Sequence, residues 1–296
     1  MSTLASVLLA GLLLGGIYGL VAIGLNLIFG VIRVVNFAQG EFVMLGMYAT
    51  FVAYSALHLD PYLSIVLVFP LMFLFGMAVQ RLVLQPLQNE PTMQIFATFG
   101  LLMLLQNLVL AATGGEAFSL QTPLSAAVIP VGPLQVSVPR VLALVAVSVA
   151  AAGLQWGLRH TMLGRSVRAV AQDRRAARLM GINVERTYML TFGFGAGLAG
   201  VAGTLLAPIY TLSPQIGGNF ILAAFAVVVL GGLGSVAGAY LGGFLIGLTE
   251  ALAGFYLDPS LKQAVWFAIF IAMLVVRPTG LFGLQGAEEV GLRVQE

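Results

Sequence analysis

The chain has 296 residues, of which 60% are hydrophobic and 8% charged, against roughly 45–50% apolar and about 25% charged in soluble domains. That balance excludes an ordinary water-soluble globule. The absence of cysteine excludes disulfides, Cys-ligated zinc and thiol catalysis; the net charge is only +2, and no nucleic-acid partner is expected.

Residues 4–29, 42–57, 61–80, 91–115, 141–158, 187–249 and 263–276 contain no Asp, Glu, Lys or Arg. A membrane-spanning helix needs about 20 predominantly apolar residues, so these runs predict an all-α, polytopic membrane protein. Outer-membrane strands alternate over ~10 residues instead, which disfavours a β-barrel. Spans are predicted near 4–29, 41–57, 62–80, 94–112, 139–158, 187–211, 221–233, 236–256 and 262–276, giving eight or nine crossings. The first lacks a basic leader and is read as a retained span.

Between the first two spans lies "VVNFAQGEFVMLG" (34–46), with Asn36, Gln39 and Glu41 beside apolar runs. Two placements fit. In one, the stretch is a cytoplasmic turn, with Asn36 capping the next helix and Glu41 in its positively polarised first turn. In the other, the chain breaks within the bilayer, and Asn26, Asn36, Phe37, Gln39 and Glu41 contribute to a solute path, as broken helices do in transporters. The piece 113–138, with Pro123, Pro130 and Pro133, is predicted to be a short ordered external loop.

Seven basic residues fall between Arg159 and Arg186, which places this polar segment in the cytoplasm. From Thr161 to Gly181 it reads as one short amphipathic helix. Leu163, Val167, Val170, Ala171, Leu179 and Met180 form its apolar face, and Arg165, Arg168, Arg174, Arg175 and Arg178 its charged one. Such a helix attracts anionic membrane lipid or docks a soluble partner.

With nine crossings the N-terminus is external and the C-terminus internal. Within 221–256, "LGGLGSVAGAYLGG" reads as a turn between short, Gly-rich helices or as a broken re-entrant pair. Glycines recur at four-residue spacing in 11–19, 193–197 and 234–247, which permits close helix packing. "LLLGGIYGL" and "AYLGGFLIGL" are alike enough to hint at an internal repeat. Glu250 is a further intramembrane acid, expected either on the pathway or paired with a neighbouring hydroxyl or amide.

No G-x-x-x-x-G-K-[ST] loop occurs, and the single lysine is Lys262, so this chain is not expected to hydrolyse ATP. His58 and His160 belong to no metal-ligand or triad pattern. A catalytic role is not expected anywhere in the chain.

"RAARLMG" (175–181) resembles the E-A-A-x-x-x-G coupling loop of ABC importer permeases. Ala176, Ala177 and Gly181 are in register, and Arg175 stands in place of Glu. Together with "GLNLIFGVIRVVNFAQGEF", "GRSVRAVAQDRRAARLMGIN", "SPQIGGNFILAAFAVVVLGGLGSVAGAYLGG" and "RPTGLFG", it resembles the branched-chain amino acid permease family, LivH type. That family's N-F-A-H-G-E motif matches at Asn36, Phe37, Ala38, Gly40 and Glu41, with Gln39 in place of His.

The resemblance implies a single transmembrane permease domain over 1–296 in the bacterial inner membrane, with a cytoplasmic coupling segment at about 160–186. Gly164, Arg165, Arg168, Arg175, Ala176, Ala177, Arg178 and Gly181 would contact an ATPase. The implied partners are a second, LivM-like permease or a copy of this chain, two ATPases, and a periplasmic or extracellular binding protein. ATP and Mg would sit on the ATPases, with no cofactor here. Branched-chain amino acids are the implied substrate. Urea, amides or other amino acids are the alternatives, and a free-standing secondary transporter is the rival class.

Overall fold

A computed structural model describes residues 2–120, 122, 127–131, 134–277 and 279–283. In chain order the long helices are α1 (Ser2–Ile32), α2 (Gln39–Leu57), α3 (Ile65–Val79), α4 (Pro91–Thr113) and α5 (Val138–His160). Two short helices follow, α6 (Met162–Gln172) and α7 (Arg174–Leu179). The chain then forms α8 (Val184–Leu206), α9 (Ile216–Gly231), α10 (Val236–Tyr256) and α11 (Lys262–Val276). Past Val79, α3 continues through a π turn, Gln80–Leu84, and a 3-10 turn, Gln85–Leu87.

Among the described residues, seven helices are long and apolar enough to cross a membrane: α1, α2, the extended α3, α4, α5, α8 and α10. Helices α9 and α11 have 16 and 15 residues, or about 22–24 Å at ~1.5 Å rise. That is short of a hydrocarbon core about 30 Å thick. The eight or nine crossings expected from hydropathy thus resolve into seven full-length spans and two shorter apolar helices.

Helix α8 is the hub. In its apolar window 83% of residues are buried, against 17% for α4 and for α5. Its glycines face different neighbours, and an added Cβ would meet a different helix at each. At Gly195 it would lie 2.6 Å from the Ile28 side chain of α1, at Gly200 2.6 Å from Met72 of α3, and at Gly203 it would collide with the Val43 carbonyl of α2. With no apolar driving force between helices in lipid, close backbone approach of this kind supplies the packing energy.

Helices α1 and α10 mesh in the same way. A Cβ at Gly15 would lie 2.6 Å from the Gly243 carbonyl oxygen, and one at Gly11 2.9 Å from that of Gly247. The two look-alike segments of the sequence therefore face each other. Outward positions such as Val66, Leu74, Phe96, Val149 and Val275 are 62–80% exposed, an apolar surface suited to acyl chains.

The connection between α9 and α10 is a tight turn. Gly232 and Gly234 adopt φ of 102° and 84°, a region that favours glycine. Gly234 abuts Gly30 near the end of α1, so the turn sits at the end of the bundle where α1 finishes. At the opposite end, Val128–Val131 (β1) and Leu134–Ser137 (β2) form an antiparallel hairpin with Val128 opposite Ser137. Phe118 bridges Leu212 in the α8–α9 connector, which ties down this part of the 113–138 piece.

Candidate functional site: a polar break inside the bundle

Helix α1 has 31 residues, about 46 Å of helix, and overshoots the hydrocarbon thickness. It ends at Arg33, whose φ of 61° is left-handed and unusual for a side-chain-bearing residue. Arg33 reverses the chain, and its guanidinium donates to the Ala171 carbonyl of α6 at 3.4 Å. Residues 34–38 then run back alongside α1. A Cβ on Gly24 would lie 2.8 Å from Gln39 Nε2, so α2 starts level with a residue about two turns, ~12 Å, above the end of α1.

The polar side chains of the stretch bond to one another and to neighbouring backbone. Asn36 Oδ1 accepts from the Ala38 amide at 3.1 Å, and Asn36 Nδ2 donates to Gln39 Oε1 at 3.1 Å. Gln39 Nε2 donates to the Gly195 carbonyl of α8 at 3.1 Å. Thr98 of α4 accepts from the Phe37 amide at 3.4 Å and donates to the Val35 carbonyl at 3.2 Å. Asn36 and Gln39 are fully buried and Glu41 is 2% exposed. Since Gly195 is the twelfth residue of the 23 in α8, these contacts place the break halfway along a spanning helix.

The capping role that the cytoplasmic-turn placement gives Asn36 is not found, whereas Glu41 does lie in the first turn of α2. Ala38, not Asn36, stands at the N-cap of α2, and no side chain caps that helix. Asn36 instead closes a local turn through Ala38. Glu41 behaves differently from its neighbours: its Oε2 has no hydrogen-bond partner, while a Cβ on Gly217 in the first turn of α9 would lie 2.9 Å from its Oε1. The positive end of α9 offsets part of the cost of this buried acid. The half-buried Phe37 ring packs between Phe225 and Phe99, at 5.3 and 6.4 Å between centroids.

Asn26 and Glu250 lie apart from this cluster. Asn26 Nδ2 donates to the Ser235 and Gly232 carbonyls at 2.7 and 3.2 Å, and its Oδ1 accepts from the Gly234 amide at 2.6 Å. It clamps the α9–α10 turn. Glu250 Oε2 accepts from the Tyr18 hydroxyl at 2.8 Å, the pairing with a neighbouring hydroxyl that its intramembrane position calls for.

The basic segment is two helices rather than one. Asp173 breaks it, its Oδ1 accepting from the Arg175 and Ala176 amides at 2.7 and 3.0 Å as the cap of α7. These bonds, that of Ala176 foremost, hold the Asp173 carboxyl below the usual range. The apolar face also differs from expectation: Val170 is buried, but Leu163, Leu179 and Met180 are 51%, 88% and 82% exposed. Gly164 and Ala177 are buried within the chain itself, whereas Arg165, Arg168, Arg175, Ala176, Arg178 and Gly181 are exposed. Gly181 has φ 82° with open space where a Cβ would be, so its backbone turn, not close packing, calls for glycine. Arg178 pairs with Glu185 at 2.6 Å, and Arg168 donates to the Leu158 carbonyl. A cleft of about 520 Å³ opens between Gln88–Asn89 and α7.

Sequence reasoning missed the Gly195 carbonyl, Thr98 and Gly217 as partners of the break. The glycine spacing in α8 was a signal for close packing but not for which helix approaches.

Comparison with known proteins agrees with this architecture. The family described as branched-chain amino acid transport system / permease component matches residues 7–274. The high-affinity branched-chain amino acid transport system permease protein LivH of Salmonella typhimurium is 33% identical over 95% of this chain and 96% of its own length. The corresponding BraD protein of Pseudomonas aeruginosa is 33% identical over 96% and 97%. A probable LivH of Methanocaldococcus jannaschii is 29% identical over 90% and 88%. No solved structure gives a significant match. A multi-pass helical bundle, a polar break in the N-F-A-x-G-E motif and similarity over nearly the whole length lead to one assignment: the chain belongs to the branched-chain amino acid transport permease family.

Proposed function

We propose that this chain is the integral-membrane permease subunit of an ATP-driven importer in the cell's inner membrane, forming half of a pathway for leucine, isoleucine and valine. The observation that carries the reading is the buried break at Asn36–Glu41 in a chain of this family. A cluster of amides and an unpartnered carboxylate in the middle of a bundle costs several kcal/mol per unmet group. It is retained most simply where a polar solute must pass.

In this reading Asn36 and Gln39 hold the two halves of the break together, and Glu41 offers an acceptor when α2 and α9 separate. The driving force comes from two separate ATPases, which hold ATP and Mg. The exposed parts of α6 and α7 would dock them: Arg165, Arg168, Arg175 and Arg178 supply charge, Ala176 a small side chain that permits close approach, and Leu179 and Met180 an apolar tip. Arg33 links this segment to the break. A second permease, LivM-like or a copy of this chain, completes the pathway, and an external binding protein delivers the solute.

The docking is tested with the assembled complex in proteoliposomes. Arg168→Glu together with Arg178→Glu is expected to detach the ATPases or to uncouple hydrolysis from uptake. Leu179→Cys is expected to crosslink to an ATPase cysteine. Full coupled uptake in the charge-reversed variant, with crosslinks confined to positions in 82–93, would contradict the assignment.

A further inference from the structure

At the end of the bundle remote from α6 and α7, a pocket of about 350 Å³ opens between α1, α5, α10 and the start of α11. Arg140, on its rim, is separated along α5 from Arg159 at the basic end by about 28 Å. The pocket carries charge of both signs: Glu250 from α10, Arg140 from α5 and Lys262 from α11. None of the three is paired with another, because among the described residues the ion pair is Arg178–Glu185. Arg140 and Lys262 make no side-chain hydrogen bond within the described chain.

The carboxylate is held in place. The Tyr18 hydroxyl donates to Glu250 Oε2 at 2.8 Å, and Tyr18 is itself 8% exposed, so the acid is oriented by a buried ring. Gly254 plays the matching part for the cation. A Cβ there would collide with Lys262 Cε, so the missing side chain lets the lysine stem lie across α10. The remaining wall includes Leu14, Ile17 and Ile209.

A pocket that keeps a carboxylate and two cations unpaired repels a simple cation at one side and a simple anion at the other. A molecule bearing both an ammonium and a carboxylate satisfies both sides, and an aliphatic wall accepts a branched hydrocarbon group. Arg is always charged and suited to carboxylate recognition. We propose that this pocket is a subsite for a free zwitterionic amino acid with an aliphatic side chain. Glu250 takes the ammonium group, Arg140 and Lys262 the carboxylate, and Leu14 and Ile17 the side chain. The proposal rests on the importer reading for how solute reaches this end of the bundle, and it adds a selective step made by the permease itself.

The test is equilibrium binding of radiolabelled leucine to the permease complex in nanodiscs, without binding protein or ATP. Saturable binding is expected, displaced by isoleucine and valine. Leucinamide, which lacks the carboxylate, and 4-methylpentanoate, which lacks the ammonium, are not expected to displace it. Glu250→Gln keeps an acceptor for Tyr18, and Arg140→Gln changes an exposed residue; each is expected to weaken binding about tenfold or more in a complex that still assembles. Absence of saturable binding, or binding unchanged in both variants, overturns the subsite. So does native mass spectrometry in which both variants lose a bound phosphatidylethanolamine while leucine does not bind, since the two charges would then serve a lipid headgroup. ATP-driven uptake with binding protein, measured on the same preparation, separates the two claims. Uptake without direct binding overturns the subsite alone, and failure of uptake overturns the importer reading.

Discussion

The Gln39 side-chain amide donates to the Gly195 carbonyl oxygen at 3.1 Å, joining the first turn of α2 to the middle of α8 across 156 positions of sequence. The bond is made possible by two glycines: Gly24 leaves room for the amide, and Gly195 brings α8 close to α1. Gln39 also accepts from Asn36, so a single side chain closes the polar break on both sides.

Replacing Gln39 by Leu is expected to leave Asn36 Nδ2 without its acceptor and to remove the link to Gly195, whose carbonyl keeps its helical bond within α8. A buried group left without a partner costs about 1–3 kcal/mol, which is the loss expected here. Gln39→His retains a donor and an acceptor and is expected to cost less. Thermal unfolding of the purified complex in detergent checks the order, with Leu well below His and His near the parent. Equal melting temperatures for Leu and the parent would show that the bond does not hold the break.

The hub character of α8 makes a contrast between glycines. Gly203→Val drives a side chain into the Val43 carbonyl, and Gly46→Val puts a Cβ 2.5 Å from the Gly200 carbonyl oxygen. Both are expected to abolish folded, monodisperse protein. Gly153→Ala on α5 meets nothing within 4 Å and is expected to stabilise by up to about 1 kcal/mol through helix propensity. Size-exclusion profiles and melting temperatures read out all three.

Asp173 supplies a pH-dependent feature outside the spans. Its carboxyl titrates below the usual range when α7 is formed, because the ionised form accepts from the Ala176 and Arg175 amides. A depressed folded value means the contribution is present above the ordinary carboxylate range and is lost as pH falls through the folded value. The protection of the Arg175 and Ala176 amides, taken relative to the intrinsic exchange rate at each pH, is therefore expected to fall on acidification and to be lower at neutral pH in Asp173→Ala. Protection indifferent to both changes would remove the capping role.

Much of this architecture was legible because a charge-free run of spanning length fits a bilayer far better than it fits water. The division at Asp173 was not read from the sequence: amphipathic periodicity across it favours one helix, and it outweighed the preference of an acid for a helix N-cap. The position of the break was not legible. Asn36, Gln39 and Glu41 satisfy a surface turn and an internal break equally well on local grounds, and the deciding partners, Gly195 and Thr98, lie far away in the chain. The pocket of Glu250, Arg140 and Lys262 was hidden for the same reason, since helices separated in sequence bring the three charges together.

The central claim is that this permease moves branched-chain amino acids only when driven by separate ATPases, and it is tested by leucine uptake into proteoliposomes. The complete complex with its binding protein, given ATP on the ATPase side and no ion gradient, is expected to accumulate leucine. The permease pair alone, given a proton or sodium gradient, is expected to accumulate none. Gradient-driven accumulation by the permeases without ATPases, unaffected by ATP, would contradict the account and make the chain a secondary transporter.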